Sequence, residues 1–383
     1  MERARRLQKT QEYYFSRKLE EIRKMSETGI PVINLGIGNP DLPPPEKVIR
    51  KLLEIAVMKD VHGYQSYRGL PALRKAYARW YGSSYNVSLD PDREVIPLVG
   101  SKEGIFYLSM AFLNPGDKAL VPDVGYPAYR SVTEMVEAIP VTYNISEKTG
   151  WYPDFRELEQ LDLTGVKLMW INYPNMPSGK PAGRELFRRL VDFGMNHDIL
   201  ICHDNPYSFI LNDRPLSILS LPEARKTAVE LNSMSKTYNM AGWRMGMLAG
   251  DSEFLEPVFT VLSNVESGIF KPLQLATIQA IQTPAEWFGE LNREYKKRRE
   301  MVFALFDKLG CTYETESNGL FVWAKTPGGV DAFDFTDRIL YDARVFITPG
   351  GIFGNNGKSF VRVSLCEDIP LLQEALKRVE NII

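Results

Sequence analysis

TAVELNSMSKTYNMAGWRMGMLAG, residues 227–250, contains two kinds of segment in one short span. At either end lie apolar, strand-like runs, TAVELN (227–232) and RMGMLAG (244–250), the second opening on an arginine, and between them stands a polar stretch with hydroxyls and a lysine. Runs of the same kind recur on the N-terminal side: EVIPLV (94–99), KALVP (118–122), PVTYNI (140–145), VKLMWIN (166–172) and ILICHD (199–204). Each ends near Gly, Pro, Asn or Asp, and helix-length segments separate several of them. One such segment places Ile105, Leu108 and Phe112 on a single face after Gly100. Strands apolar on both faces, alternating with helices, imply a mostly parallel sheet covered on both sides. Ligands of such folds gather at the carboxyl ends of the strands. After Pro272 the pattern changes to a helical stretch through about residue 309, then FVWAK (321–325), VFITP (345–349) and FVRVSL (360–365). The expected fold is therefore α/β: a large domain with a mostly parallel sheet flanked by helices, plus a smaller α+β domain. The expected boundaries are 45–270 for the large domain, and 1–44 with 271–383 for the small one.

Composition excludes other classes. The chain of 383 residues is 44% hydrophobic and 25% charged, which argues against disorder and membrane spans. With 46 basic and 48 acidic residues the net charge is −2, so no bulk attraction to nucleic acid or anionic membrane is implied. Cys202, Cys311 and Cys366 match no metal-ligand spacing and read as buried free thiols. The N-terminus is basic but has no apolar run of signal-peptide length, which points to a cytoplasmic protein. Phe15, Leu19 and Ile22, at i, i+4 and i+7, suggest an amphipathic helix resting on the domain.

The polar stretch carries the chemistry. Ser233, Ser235 and Lys236 follow a buried strand, and Arg244 lies eight residues beyond the lysine. A lysine amine can form an imine with an aldehyde, while hydroxyls and a guanidinium suit a doubly charged phosphate; pyridoxal 5′-phosphate presents both groups. Alone, the segment would read as a polar loop with a surface lysine. HDNPY (203–207) adds Asp204 at a strand's carboxyl edge, where a carboxylate can keep a pyridine nitrogen protonated, and Tyr207, whose hydroxyl can serve the ring's phenolic oxygen. The bland reading is an ordinary turn. His203 and Cys202 read as structural. GSKEGIF (100–106) opens a helix whose N–H groups, with Ser101 and Lys102, suit phosphate, although Ser101 as a simple N-cap is equally open. VGYPAY sets Tyr126 on a turn, either to stack on a ring or as a core residue.

From INLGIGNPD near the N-terminus to VRVSL near the C-terminus, the chain resembles fold-type I pyridoxal-phosphate-dependent aminotransferases of the class I/II group over essentially its full length. YYFSRKLEEI, LGIGNPDLPPP and YQSYRGLPALR look most like the branch containing LL-diaminopimelate aminotransferases. The resemblance implies that Lys236 forms the Schiff base and moves the proton between carbon centres. It implies that Ser233, Ser235, Arg244, Ser101 and Lys102 bind the phosphate end, that Tyr126 stacks, and that Asp204 and Tyr207 hold the ring. Tyr64 would reach the phosphate of the neighbouring subunit, so a homodimer is implied. Arg362, aided by the backbone near Gly38, would bind the substrate α-carboxylate. Read without the family, Arg362 alternates with Val361 and Val363 and would face solvent.

One departure stands out. The family's Asn-Pro-Thr-Gly motif is here Met176-Pro177-Ser178-Gly179, and a thioether cannot donate a hydrogen bond. Asn172 and Asn175 are the candidate compensating donors, although the spacing puts neither in the usual slot. The expected activity is transfer of an amino group between an amino acid and a 2-oxo acid, the alternative being a carbon–sulfur β-lyase of the same fold. A regulatory module fused to a DNA-binding domain is disfavoured, since no helix-turn-helix precedes residue 30 and no basic patch is visible.

Overall fold

The computed structural model describes the chain except residues 1, 3, 8–11, 28, 30 and 383. Its strands in chain order are β1 (Ile33–Asn34), β2 (Val95–Leu98), β3 (Lys118–Pro122), β4 (Ile139–Tyr143), β5 (Val166–Asn172), β6 (Leu200–Asp204), β7 (Ala228–Ser233), β8 (Gly246–Gly250), β9 (Thr312–Tyr313), β10 (Phe321–Lys325), β11 (Val345–Phe346), β12 (Thr348–Pro349) and β13 (Phe360–Ser364). The main sheet runs β2-β8-β7-β6-β5-β3-β4. β8 is antiparallel to both neighbours, and every other pairing in the sheet is parallel. Helices cover both faces, so strand residues are buried on either side: β6, β7 and β8 are buried throughout, and β5 exposes only Lys167. That double burial is why these segments read as continuous apolar runs.

Because β2 to β7 all run one way, their carboxyl ends lie along one edge of the sheet. β2 leads into the helix Ser101–Phe112, β3 into the turn before Pro127–Met135, and β5 into the Met176 loop. β6 ends on Asp204, and β7 runs into the helical turn Met234–Thr237. Residues from all five of these ends line one cavity.

The C-terminal region forms an antiparallel sheet, β12-β13-β10-β9, in which Arg362 pairs with Trp323 on one side and Thr348 on the other. VFITP is not a single strand. It divides at Ile347 into β11, which pairs in parallel with β1, and β12, which joins the antiparallel sheet. β1 is thereby tied to the C-terminal region, and the Leu35 N–H donates to the Phe346 carbonyl at 2.8 Å. RMGMLAG also starts later than expected. Arg244 takes a left-handed conformation (φ 56°) after the short helical turn Ala241–Trp243, which aims its side chain back at β2's exit instead of along a strand. Strand periodicity carries no sign of such a turn. The three cysteines are buried and free. Among the described residues no helix is long and apolar enough to cross a membrane.

Candidate active site

The cavity at the strand ends has a volume of about 510 Å³. Lys236 enters it from the turn after β7, a turn started by Ser233, whose hydroxyl accepts from the Ser235 N–H at 3.1 Å. The Lys236 amine donates to the Gly38 carbonyl. Gly38 is required by close approach, since a Cβ there would lie 2.2 Å from the Phe321 ring. Burial lowers the Lys236 pKa below the usual lysine range, and the Arg362 and Arg244 charges act in the same direction. A larger neutral fraction makes the amine a better nucleophile toward an aldehyde.

Asp204 closes β6. Its Oδ2 accepts from the Tyr129 hydroxyl at 2.9 Å, whereas Oδ1 is buried with no partner among the described residues. Burial raises its pKa to about 6, against the opposing influence of Tyr129 and His203. An unpartnered buried carboxylate oxygen calls for a donor, and a protonated pyridine nitrogen is one. His203 turns away into the core, bridging Glu230 (2.9 Å) and the Tyr173 carbonyl (2.8 Å), which accords with a structural role.

At the opposite end, Ser101 and Lys102 occupy the first turn of the helix Ser101–Phe112, whose free N–H groups favour an anion. Gly100 precedes them at φ 83°, and a Cβ there would lie 2.0 Å from an Arg244 guanidinium nitrogen. Arg244 also meets the Ser235 hydroxyl at 3.4 Å. Burial and the nearby Arg244 charge lower the Lys102 pKa. Two cations, hydroxyls and a helix N-terminus fit a phosphate dianion, and the one carboxylate of that first turn, Glu103, accepts from the Val99 N–H at 2.9 Å and does not line the cavity. Tyr126 and Tyr207 line the wall between the two ends.

Arg362 is buried at 4% exposure, which overturns the solvent-facing reading: β13 is covered on both faces, so alternation with valine carries no information there. One guanidinium N–H donates to the Gly36 carbonyl at 2.6 Å, another points at the Met176 sulfur at 3.2 Å, and Nε has no partner among the described residues. Burial pulls its pKa down to about 10, so it stays charged at neutral pH without an anion beside it. A carboxylate ligand would satisfy it.

Met176 lines the cavity, in keeping with the register read from sequence. Of the neighbouring asparagines, Asn172 lines the cavity and Asn175 does not. Asn172 donates to the Asp204 carbonyl and accepts from the Met176 N–H, both at 2.7 Å, and Asn175 accepts from the Ser178 hydroxyl at 2.6 Å. Tyr64 is 92% exposed and does not line this cavity. Sequence reasoning missed Tyr129, Tyr13, Phe321 and Phe353. Tyr129 follows Tyr126 by one helical turn, a spacing that gave a usable signal; the other three are brought in by tertiary packing alone.

These features define an enzyme site of the pyridoxal-phosphate, fold-type I class. The aminotransferase class I and II family model matches residues 30–379, and the chain belongs to that family; it is a pyridoxal-phosphate-dependent aminotransferase. It is 38% identical to the LL-diaminopimelate aminotransferase of Moorella thermoacetica, covering 100% of this chain and 99% of that one. Among solved structures, apo-BacF from Bacillus subtilis is 36% identical with a TM-score of 0.95, covering 100% and 98% of the two chains. An aromatic aminotransferase from Pyrococcus horikoshii is 27% identical with a TM-score of 0.87, covering 96% and 98%. The β-lyase alternative draws no support from these relatives.

Proposed function

We propose that this chain performs transamination with Lys236 as both covalent anchor of the cofactor and carrier of the substrate Cα proton. The observation that carries this reading is one cavity holding the Lys236 amine, an Asp204 oxygen and an Arg362 Nε, the latter two without a partner among the described residues. Pyridoxal phosphate, when bound, supplies an electron sink for the bond broken at Cα. Asp204, oriented by Tyr129, would keep the ring nitrogen protonated, Tyr207 would donate to the phenolic oxygen, and Tyr126 would pack on the ring. Ser101, Lys102, Ser233, Ser235 and Arg244 hold the phosphate. Arg362 binds the substrate carboxylate, with the backbone of Gly36 and Gly38 setting the floor beside it. A half-reaction with an amino acid alone, followed by loss of the cofactor's imine absorbance, tests the reading.

In this proposal residues 45–270 form the large unit, and 1–44 with 271–383 the small one that carries Arg362. The helix Lys271–Ile281, packed on Glu46–Ala56, would bridge the two; residues 1, 3, 8–11, 28, 30 and 383 of this division lie outside the described residues. We assign the protein to the cytoplasm and to a homodimer in which Tyr64 completes the partner's phosphate site. Its near-full exposure supports that role. Mixing inactive Lys236→Ala with inactive Tyr64→Ala protein should yield heterodimers with one repaired site, recovering activity as subunits exchange. Proven exchange without recovery would rule out shared sites.

Met176→Asn should lower the pKa of the Lys236 Schiff base. An asparagine there would donate to the phenolic oxygen and stabilise the deprotonated form, and a hydrogen bond to a charged group is worth about 1.5–3 kcal/mol, roughly one to two pKa units. Spectrophotometric pH titration of folded, cofactor-loaded variant and wild type checks this; an unchanged or raised value would mean that another donor already serves the oxygen.

A further inference from the structure

Asp123, the residue after β3, is a buried carboxylate to which the chemistry above assigns no task. Its Oδ1 accepts from the Asn356 N–H at 2.9 Å, a donor on the loop that joins β12 to β13. The same loop meets the end of the main sheet twice more. The Gly125 N–H donates to the Phe353 carbonyl at 2.9 Å, and the Asn356 side-chain amide donates to the Ile145 carbonyl, beyond β4, at 3.1 Å. Gly354 lies between these contacts at φ 151°, and a Cβ there would stand 1.8 Å from the Asp123 carbonyl oxygen and 2.3 Å from its Oδ1. Burial raises the Asp123 pKa, while the Asn356 and Asn355 N–H groups and the Arg130 and Lys358 charges oppose that rise. The contact is therefore a charge-assisted one, stronger than a bond between neutral groups.

Phe353 depends on this contact. Its ring centre lies 4.8 Å from the Arg362 guanidinium carbon, and it lines the cavity. On the other side of the contact, Asp123 and Gly125 run directly into Tyr126, which lines the cavity as well. One carboxylate thus ties the loop bearing a wall of the Arg362 site to the turn bearing a wall of the cofactor site.

We propose that Asp123 is a positioning residue that latches the loop 353–356 onto the end of β3 and so holds the Arg362 carboxylate site in its binding-competent form. This rests on the reading of Arg362 given above. Loosening the latch lowers the population of that form, and the apparent affinity of every ligand held by its carboxylate at Arg362 then falls by one common factor. At saturation the ligand itself restores the latched form, so kcat changes little. Ser101, Lys102 and Arg244 are untouched, so the cofactor should bind as before.

Two variants open the latch from opposite sides. Asp123→Leu removes the acceptor at similar volume, and Gly354→Ala drives a methyl group against the Asp123 backbone. The probes are the amino acid that converts wild-type holoenzyme fastest, its 2-oxo acid acting on the pyridoxamine form, and the unreactive acid with the same skeleton and no amino group. In both variants the two KM values and the Kd of the unreactive acid should rise together by about tenfold, with kcat within about threefold of wild type. Asp123→Asn, which keeps an oxygen acceptor without the charge, should fall between. Hydrogen exchange of the 350–357 amides should speed up by about tenfold in both variants, and in wild type should slow when the unreactive acid binds, because coupling is reciprocal. Unchanged exchange in the folded variants would show that there is no latch. Faster exchange with unchanged KM would show that the latch does not serve Arg362, and a loss of kcat or cofactor loading alone would mark Asp123 as merely structural; either overturns the proposal. Arg362→Lys separates the two readings: unchanged KM and Kd in that variant would overturn the role of Arg362 itself, whatever the exchange data show.

Discussion

Lys236→Ala protein is expected to lose transamination by at least about 10³-fold in kcat while still binding pyridoxal phosphate without a covalent link. Two functions are removed together: the amine that anchors the cofactor, and the base that moves the Cα proton. The half-buried Lys236 amine lies against the Gly38 carbonyl and has its pKa lowered by desolvation, which suits it to accept that proton. Phosphate binding should survive, because Ser101, Lys102 and Arg244 are untouched. Added methylamine should restore part of the rate, since it supplies a proton-accepting nitrogen to the vacated space. The measurement is a half-reaction time course with and without the amine. Full activity in the variant would remove Lys236 from the chemistry.

The second large effect is a divergence between stability and activity in Asp204→Asn. In the cofactor-free protein the buried carboxylate has a pKa of about 6, above its ordinary 3.8. An acid whose folded pKa is raised costs stability when ionised. That cost is absent below about pH 4, grows as pH rises from about 4 to 6, and is constant above. A shift of this size corresponds to about 3 kcal/mol. Cofactor-free Asp204→Asn should therefore match wild type near pH 4 and exceed it by up to about 3 kcal/mol at pH 7, as read by urea unfolding. Loaded with cofactor, the order of merit reverses. An amide cannot keep the pyridine nitrogen protonated, and removing such electrostatic support should lower kcat by roughly 10²–10³-fold. A variant that is less stable at pH 7 without cofactor, or fully active with it, would contradict the role given to Asp204.

Much of this was legible in the residues themselves. VKLMWIN, KALVP and FVWAK coincide with β5, β3 and β10 because doubly buried strands leave an unbroken apolar record. Asp204 and Lys236 stand directly after such runs, and a strand's carboxyl end is where a parallel sheet presents its ligands. Arg362 was legible only through family likeness, since alternation in a five-residue strand looks the same whether the second face meets water or another layer. The division of VFITP between two sheets depends on pairing with β1, more than 300 residues away, and local pattern holds no trace of it. The same is true of Phe321 and Phe353: an apolar residue in a strand or turn reads as core, and only the tertiary arrangement turns their rings toward a buried guanidinium. Met176 is the opposite case. Its departure from the motif was visible in sequence, but its contact with Arg362 was not.

Borohydride reduction of the holoenzyme, followed by proteolysis and mass mapping, bears most directly on the central claim. The account predicts a single pyridoxyl adduct, on the peptide containing Lys236. An adduct on Lys102, the other lysine lining the cavity, or on any lysine outside it, would contradict the assignment of the covalent anchor.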